Sequence, residues 1–284
     1  TTHQPSSRAP PSHSFGATQE LQTRVETMAS SPDMGTEMLM REANDWAVAH
    51  GLLMAHKTAD GQFEHAPISL EATPYPQQQY IRAVQLAPVF NTLVENISQQ
   101  PEWLLETLAP VEGHDKFTSQ LLDLMRDVMK SGGEKQHLHL GMHRSDYMLH
   151  QPPTAEGEAT PPMGLLQVEL NTIASSFGSL SERVTGLHRH LLSRCAPAVS
   201  GTIPANDSLQ GLARALATAH TEYLKLRPSP SRGTQVEAVV LFVVQPGERN
   251  VMDQRMLEYK LANDHSVRVI RATLAEISER ATTR

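Results

Sequence analysis

The sequence predicts an α/β fold with a helical N-terminal portion and the start of a βαβ unit near its end. Three observations carry this. Apolar residues recur at helical spacing through much of residues 36–129. The segment Leu165-Leu166-Gln167-Val168-Glu169-Leu170-Asn171 is an apolar strand that carries polar oxygens at every second position near its end. Residues 236–244 form an almost uninterrupted β-branched run, as in a buried parallel strand, followed by a helical pattern and a further strand.

Composition narrows the function classes. The chain has 284 residues, enough for one large domain or two smaller ones, and 39% of them are hydrophobic. The net charge is −7 and no basic stripe stands out, so nucleic acid is not an expected partner. Cys195 is the only cysteine, which excludes a disulfide within the chain and a Cys-based zinc site. A lone thiol fits a reducing, cytoplasmic compartment. No apolar run reaches the length of a membrane span, so no membrane partner is expected.

In chain order, residues 1–31 are rich in Ser, Thr, Pro and Gln without apolar periodicity and read as disordered. Met38, Leu39, Ala43, Trp46, Ala47 and His50 predict a helix over 36–50, with Gly51 as its stop. Pro74 and Pro76 lead into a second helical region faced by Tyr80, Val84, Phe90, Leu93, Val94 and Ile97, with Pro88 expected to kink or break it. Phe117, Leu121, Leu122, Leu124, Met125 and Met129 predict a third helix, ended by Gly132 and Gly133. Alternation then predicts strands at 136–140 and 146–150, a polar loop at 151–162 and a strand at 163–170. Helices are expected at 180–194 and 212–224, and a Pro-Ser-Pro-Ser-Arg-Gly linker at 228–233. The closing βαβ unit comprises a strand at 236–244, a helix at 253–262 and a strand at 267–270, with another helix beginning at 274.

Several positions could carry chemistry. Glu169 and Asn171 project from one strand face, and both offer oxygens suited to a hard cation. The hydroxyl-rich segment after them can approach a polar ligand; the alternative is plain alternation on a half-solvated strand. Arg144 could grip a carboxylate with its guanidinium fork, or simply pair with Asp146. Residues 245–250 follow a strand end, where ligands bind in open α/β folds, and Asn250 and Gln254 are one helical turn apart. The alternative there is a polar loop that caps a helix. His137, His139 and His143 lack a completing ligand and read as surface histidines. Ser175 and Ser176 have no assignable base, and neither a Gly-x-x-x-x-Gly-Lys-Ser/Thr loop nor a Gly-x-Gly-x-x-Gly fingerprint occurs.

Three blocks, taken together, carry a resemblance. Gly141-Met142-His143-Arg144-Ser145-Asp146-Tyr147-Met148, Gln167-Val168-Glu169-Leu170-Asn171-Thr172-Ile173-Ala174-Ser175-Ser176-Phe177-Gly178 and Glu248-Arg249-Asn250-Val251-Met252-Asp253-Gln254-Arg255 resemble the eukaryotic-type glutathione synthetase in order and spacing. The resemblance covers about residues 34–284 and implies an ATP-grasp-type fold. It implies ATP- and Mg²⁺-dependent joining of γ-glutamylcysteine to glycine through an acyl phosphate, in a homodimer. Glu169 and Asn171 would then hold Mg²⁺, with Glu169 also near ATP. Arg144, Ile173, Ala174, Ser175, Ser176, Glu248, Arg249, Asn250 and Gln254 would surround the dipeptide. The family usually has Ser where this chain has Ala174. With 1–33 set apart as the segment that composition reads as disordered, the resemblance makes 34–227 the N-terminal part of the ATP-binding and catalytic domain, and 234–284 the start of the substrate-binding βαβ domain. The lysines and lid that hold ATP in the family lie beyond the matching blocks. The chain is therefore expected to be an N-terminal portion with no catalytic group of its own and no activity alone. The alternative is a truncated protein that binds γ-glutamylcysteine or glutathione, or pairs with a full-length subunit, without catalysis.

Overall fold

The computed structural model describes residues 32–58, 61–154, 157, 159–195, 202–226 and 237–282. The segment expected to be disordered lies outside these residues except for its last two positions, and the expected linker at 228–233 lies wholly outside them.

The first helix, α1, spans Pro32–Ala49 and ends as its sequence dictates. Gly51 takes φ +72°, and Leu52 N–H donates to the Ala47 carbonyl at 2.8 Å, closing the last turn. A short antiparallel hairpin follows, β1 (Leu53–Ala55) and β2 (Phe63–His65), with Leu53 opposite His65. Strands of three residues are too short to show alternation, so the sequence does not predict them.

The second helix, α2, runs unbroken from Gln77 to Ser98 with Pro88 inside it. The expected break at Pro88 is thus absent. The proline withholds one N–H from the ladder, but the turns on both sides supply enough bonds to carry the helix through. None of its residues is buried; Ile81, Val84 and Leu93 stay exposed. The helix α3, Pro101–Leu108, was not predicted, and a single 3₁₀ turn at Ala109–Val111 follows it. The next helix, α4, spans Lys116–Lys130 and is capped by the Asp115 carboxylate, which accepts from Phe117 N–H at 3.3 Å and Thr118 N–H at 2.7 Å.

The strand expected at 136–140 does not form. The Gln136 side chain bonds both the N–H and the carbonyl of Leu138, taking the groups a ladder would need. The two strands that do form are β3 (Arg144–His150) and β4 (Gly164–Asn171), an antiparallel pair with a bulge between Asp146 and Tyr147.

Two helices follow, α5 (Gly178–Cys195) and α6 (Ser208–Leu226). The βαβ unit is β5 (Val240–Val243), α7 (Val251–His265) and β6 (Val269–Ala272), with Val240 beside Val269 in a parallel pair. It leads into α8 (Leu274–Arg280). The strand β5 is shorter than expected and half-buried on one face only: Leu241 is 42% and Val243 54% exposed. A two-stranded sheet with a helix on one side covers only that side.

Two apolar clusters hold these parts. One joins Ala43 and Ala47 of α1, Leu52, Ala66, and Leu180, Leu187 and Leu191 of α5, with Trp46 and Met256 packed against it. Gly186 on α5 permits the close crossing, since a Cβ there would lie 3.0 Å from the Trp46 ring. The other joins Ala213 and Ala217 of α6 to Leu261 and Val267, with Val240 and Phe242 against them. The helix α7 contributes to both, through Met256 and Leu261. Among the described residues, no helix is long and apolar enough to cross a membrane.

Candidate functional site

The β3–β4 register builds a polar corner. Arg144 lies opposite Asn171, and Asp146 lies opposite Glu169. Two carboxylates facing each other across a ladder repel and weaken a sheet, so the pairing needs a positive partner. Arg144 provides one. Its Nε donates to Asp146 Oδ1 at 2.8 Å and its Nη2 to Oδ2 at 3.1 Å. That fork holds the Asp146 carboxyl below the usual range and raises the guanidinium. The simple ion pair therefore exists, and the same guanidinium also reaches the loop, with Nη1 donating to the Ser176 carbonyl at 3.3 Å.

The Asn171 amide sits among acceptors. Its Nδ2 donates to Glu169 Oε1 at 3.1 Å, Asp146 Oδ2 at 3.4 Å and the Arg144 carbonyl at 3.3 Å. An amide N–H thus lies between two carboxylates, where a positive group is favoured. Turning the amide by half a rotation would present Oδ1 beside Glu169, giving an all-oxygen donor set of the kind that suits a hard cation. Among the described residues no three His, Cys, Asp or Glu side chains group to hold a metal by themselves. A cation here would need water or phosphate oxygens as well, which is the habit of Mg²⁺.

The loop after β4 is folded tightly. Ala174 and Phe177 both take left-handed backbone angles, φ +51° and +70°. Ser175 Oγ donates to the Asn171 carbonyl at 3.0 Å, while Ile173 is 85% exposed. The anchor is Asp253, a buried carboxylate on α7. It accepts from the N–H groups of Phe177 at 2.7 Å, Ser179 at 2.8 Å and Leu180 at 2.9 Å, and its carbonyl accepts from Ser179 Oγ at 2.8 Å. These are N–H groups at the start of α5, which no residue within that helix can satisfy, and an anion is favoured there. Asp253 thereby ties the loop to the beginning of α7.

The residues before α7 divide. Glu248 Oε1 accepts from Asn250 N–H at 2.7 Å, and Asn250 Nδ2 donates to Asp253 Oδ2 at 3.3 Å. Asn250 Oδ1 is buried with no partner among the described residues. The Arg249 guanidinium instead joins the β1–β2 hairpin, with Nε on the Ala55 carbonyl at 3.2 Å and Nη2 on Glu64 at 3.1 Å. Gln254 is half-buried, and its Oε1 accepts from Arg271 Nη2 at 2.6 Å.

The structure therefore brings Arg144, Glu169 and Asn171 together at the strand pair, and joins Ser176 to them. Glu248, Asn250 and Gln254 stand at the start of α7, linked to the loop through Asp253. Sequence reasoning named Asp146 only as an ion-pair partner for Arg144, which it is, and assigned no role to Asp253 or Arg271. Asp146 was within reach, since it shares a strand face with Arg144. Asp253 and Arg271 were not, because their partners lie far away in sequence. Of the histidines, His139 pairs with Glu134 at 2.8 Å.

The family model described as eukaryotic glutathione synthase, ATP binding domain, matches residues 33–279. The chain is 36% identical to the chloroplastic glutathione synthetase of Solanum lycopersicum over 91% of this chain and 47% of that protein. It is 37% identical to the glutathione synthetase of Dictyostelium discoideum over 85% of this chain and 49% of that one. Among solved structures, a glutathione synthetase-like effector from Globodera pallida in its apo form superposes with TM-score 0.68 at 23% identity, covering 90% of this chain and 53% of that one. The last likeness concerns the fold alone. The chain spans about half the length of the curated relatives it matches.

Proposed function

This chain belongs to the eukaryotic glutathione synthase family, and from that premise we propose that it forms the dipeptide and cation wall of an ATP-dependent ligase that makes glutathione. In this reaction the cysteinyl carboxylate of γ-glutamylcysteine takes the γ-phosphoryl group of ATP, releasing ADP. The glycine amine then attacks the acyl phosphate, forming the peptide bond and releasing phosphate. The observation that carries the reading is the cross-strand register that sets Arg144 and Asp146 against Asn171 and Glu169 at the mouth of the loop.

In this proposal Arg144, steadied by Asp146, binds a substrate carboxylate. The backbone of Ile173 and Ala174 and the polar groups of Ser175 and Ser176 line the dipeptide from one side. Glu248, Arg249, Asn250 and Gln254 line it from the other, Arg249 from the edge that meets the hairpin. Glu169 and Asn171 would hold Mg²⁺, which when bound offsets phosphate charge, and Glu169 would also lie close to ATP. We assign no catalytic group to these residues. Residues 34–227 and 234–284 are proposed as parts of an ATP-binding domain and a substrate-binding domain. A homodimer and a cytoplasmic location complete the reading; recovery in a plastid fraction would count against the location.

The exposed apolar side chains Met148, Leu166 and Val168 on the strand pair favour a second reading, a non-catalytic binder or subunit-pairing protein. Calorimetry with γ-glutamylcysteine tests the site. Measurable heat, lost in Arg144→Ala, is expected; no heat with the wild-type chain would sink both readings of dipeptide binding. Incubation with ATP, Mg²⁺, γ-glutamylcysteine and glycine is expected to give no glutathione from residues 1–284 alone, and turnover would show that the catalytic groups are here after all. In a longer chain that does turn over, Glu169→Ala should strongly weaken the Mg²⁺ dependence.

A further inference from the structure

Gln254 does not stand alone. Arg271, at the far end of β6, donates through Nη2 to Gln254 Oε1 at 2.6 Å and through Nη1 to Glu258 Oε1. Glu258 is buried, and Arg255 Nη1 donates to its other oxygen at 2.8 Å. The Arg271 side chain is 16% exposed. A buried carboxylate between two arginines, three and thirteen residues away, is a costly arrangement unless each partner is well placed. Here it fixes the guanidinium of Arg271, which in turn meets the amide.

Arginine has donors and no acceptor. An amide that meets a guanidinium must therefore turn its oxygen towards it. That leaves Gln254 Nε2 as the outward group, and Nε2 has no acceptor among the described residues. One turn earlier, Asn250 has the opposite polarity: its Nδ2 is engaged by Asp253 and its Oδ1 is unpartnered.

We propose that Arg271 is a positioning residue that locks the Gln254 amide with its nitrogen as the open donor, so that this position selects a hydrogen-bond acceptor on the ligand. A freely turning amide would accept or donate equally well and would discriminate little. A locked one rejects a ligand that offers a donor there, because two donors would then face each other unpaired. That the ligand is γ-glutamylcysteine rests on the proposed function; that Arg271 locks the amide does not.

Two measurements on the 284-residue chain test this. The first needs no ligand. Nitrogen-15 relaxation of the glutamine side-chain amides, with Gln254→Met to identify the resonance, should show the Gln254 amide as rigid as the α7 backbone. It should become mobile in Arg271→Met and in the milder Arg271→Lys, while the backbone spectrum stays folded. An amide already mobile in the wild type, or unaffected in whichever Arg271 variant folds, overturns the proposal whether or not γ-glutamylcysteine binds. The second is a double-mutant cycle read by calorimetry with γ-glutamylcysteine. Gln254→Met and Arg271→Met should each weaken binding by about tenfold, and the double variant no more than either alone. Additive losses would mean that Arg271 serves the fold rather than the amide, and would overturn the proposal. Gln254→Glu keeps an oxygen for Arg271 but removes the donor, and should weaken binding at least as much as Gln254→Met; unchanged affinity would show that the ligand offers a donor instead. If the wild-type chain binds no γ-glutamylcysteine, that substrate is wrong and the relaxation measurement still decides the lock.

Discussion

At the scale of single residues, Asp253 couples the two halves of the site. Its carboxylate accepts three N–H groups at the start of α5 and the Asn250 amide as well. Replacing it by Asn keeps the shape but turns one acceptor into a donor that faces other donors. With the side chain buried, Asp253→Asn should destabilise the chain by about 2–3 kcal/mol, read as a lower denaturation midpoint in urea. The same change should loosen the Phe177 turn, whose left-handed backbone is held by that bond. Faster hydrogen exchange at Phe177 and Ser179 than at the rest of α5 would mark the effect as local. Uniform loss of protection across the chain would show that Asp253 supports the fold generally and not the loop. The carboxylate was invisible to sequence reasoning as an anchor, because an Asp in the first turn of a helix is explained by that helix's own dipole. Its partners at the start of α5 lie more than seventy residues earlier.

At the scale of elements, local rules were legible where the signal is local. The stop of α1 at Gly51, the parallel βαβ pairing and the β3–β4 strands all follow from glycine, period and β-branched runs. Failures occurred where a short-range competitor wins. Gln136 captures the backbone of Leu138, so an alternating pattern yields no strand. At Pro88 the break does not occur, and the helix runs on past it. The helix α4 offers a pH test of a local rule. Thr118, first through its hydroxyl and then through its backbone N–H, holds the Asp115 carboxyl below the usual aspartate range. A carboxyl lowered in the folded state adds stability above the unfolded value of about 3.9 and loses it as pH falls through the lower folded value. Acid titration followed by NMR should therefore show the first turn of α4 fraying below about pH 3.9, and Asp115→Asn should make that step disappear. Fraying that persists unchanged in Asp115→Asn would assign it to another group. Within the site, the residues on one strand face could be grouped from period alone. The grouping of that face with the start of α7 needed the fold.

At the scale of the whole molecule, the question is whether the two apolar clusters unfold together. One lies between α1 and α5, the other between α6 and the βαβ unit, and α7 enters both through Met256 and Leu261. Asp253 adds a polar tie from the same helix to α5. Leu187 and Leu261 are each fully buried, one in each cluster. Truncating either to Ala should cost about 2–5 kcal/mol, the range for a buried leucine that leaves a cavity. Trp46 reports on the first cluster, provided Trp103, which is 49% exposed on α3, is replaced by Phe. In that background Leu187→Ala must lower the Trp46 transition, because the change is local. Leu261→Ala is the informative variant. If α7 transmits stability between the clusters, the Trp46 transition should fall by the same amount as the transition seen by far-ultraviolet dichroism, since one cooperative unit has one midpoint. If the Trp46 midpoint stays where it was while the dichroism transition splits, the βαβ unit opens on its own. The start of α7 would then be free to move against the loop, and Glu248, Asn250 and Gln254 would meet the strand corner only part of the time. Coincident transitions would instead mean that both walls of the site are held in one frame, which is what the proposed ligase reaction would need to align a carboxylate with a phosphoryl group.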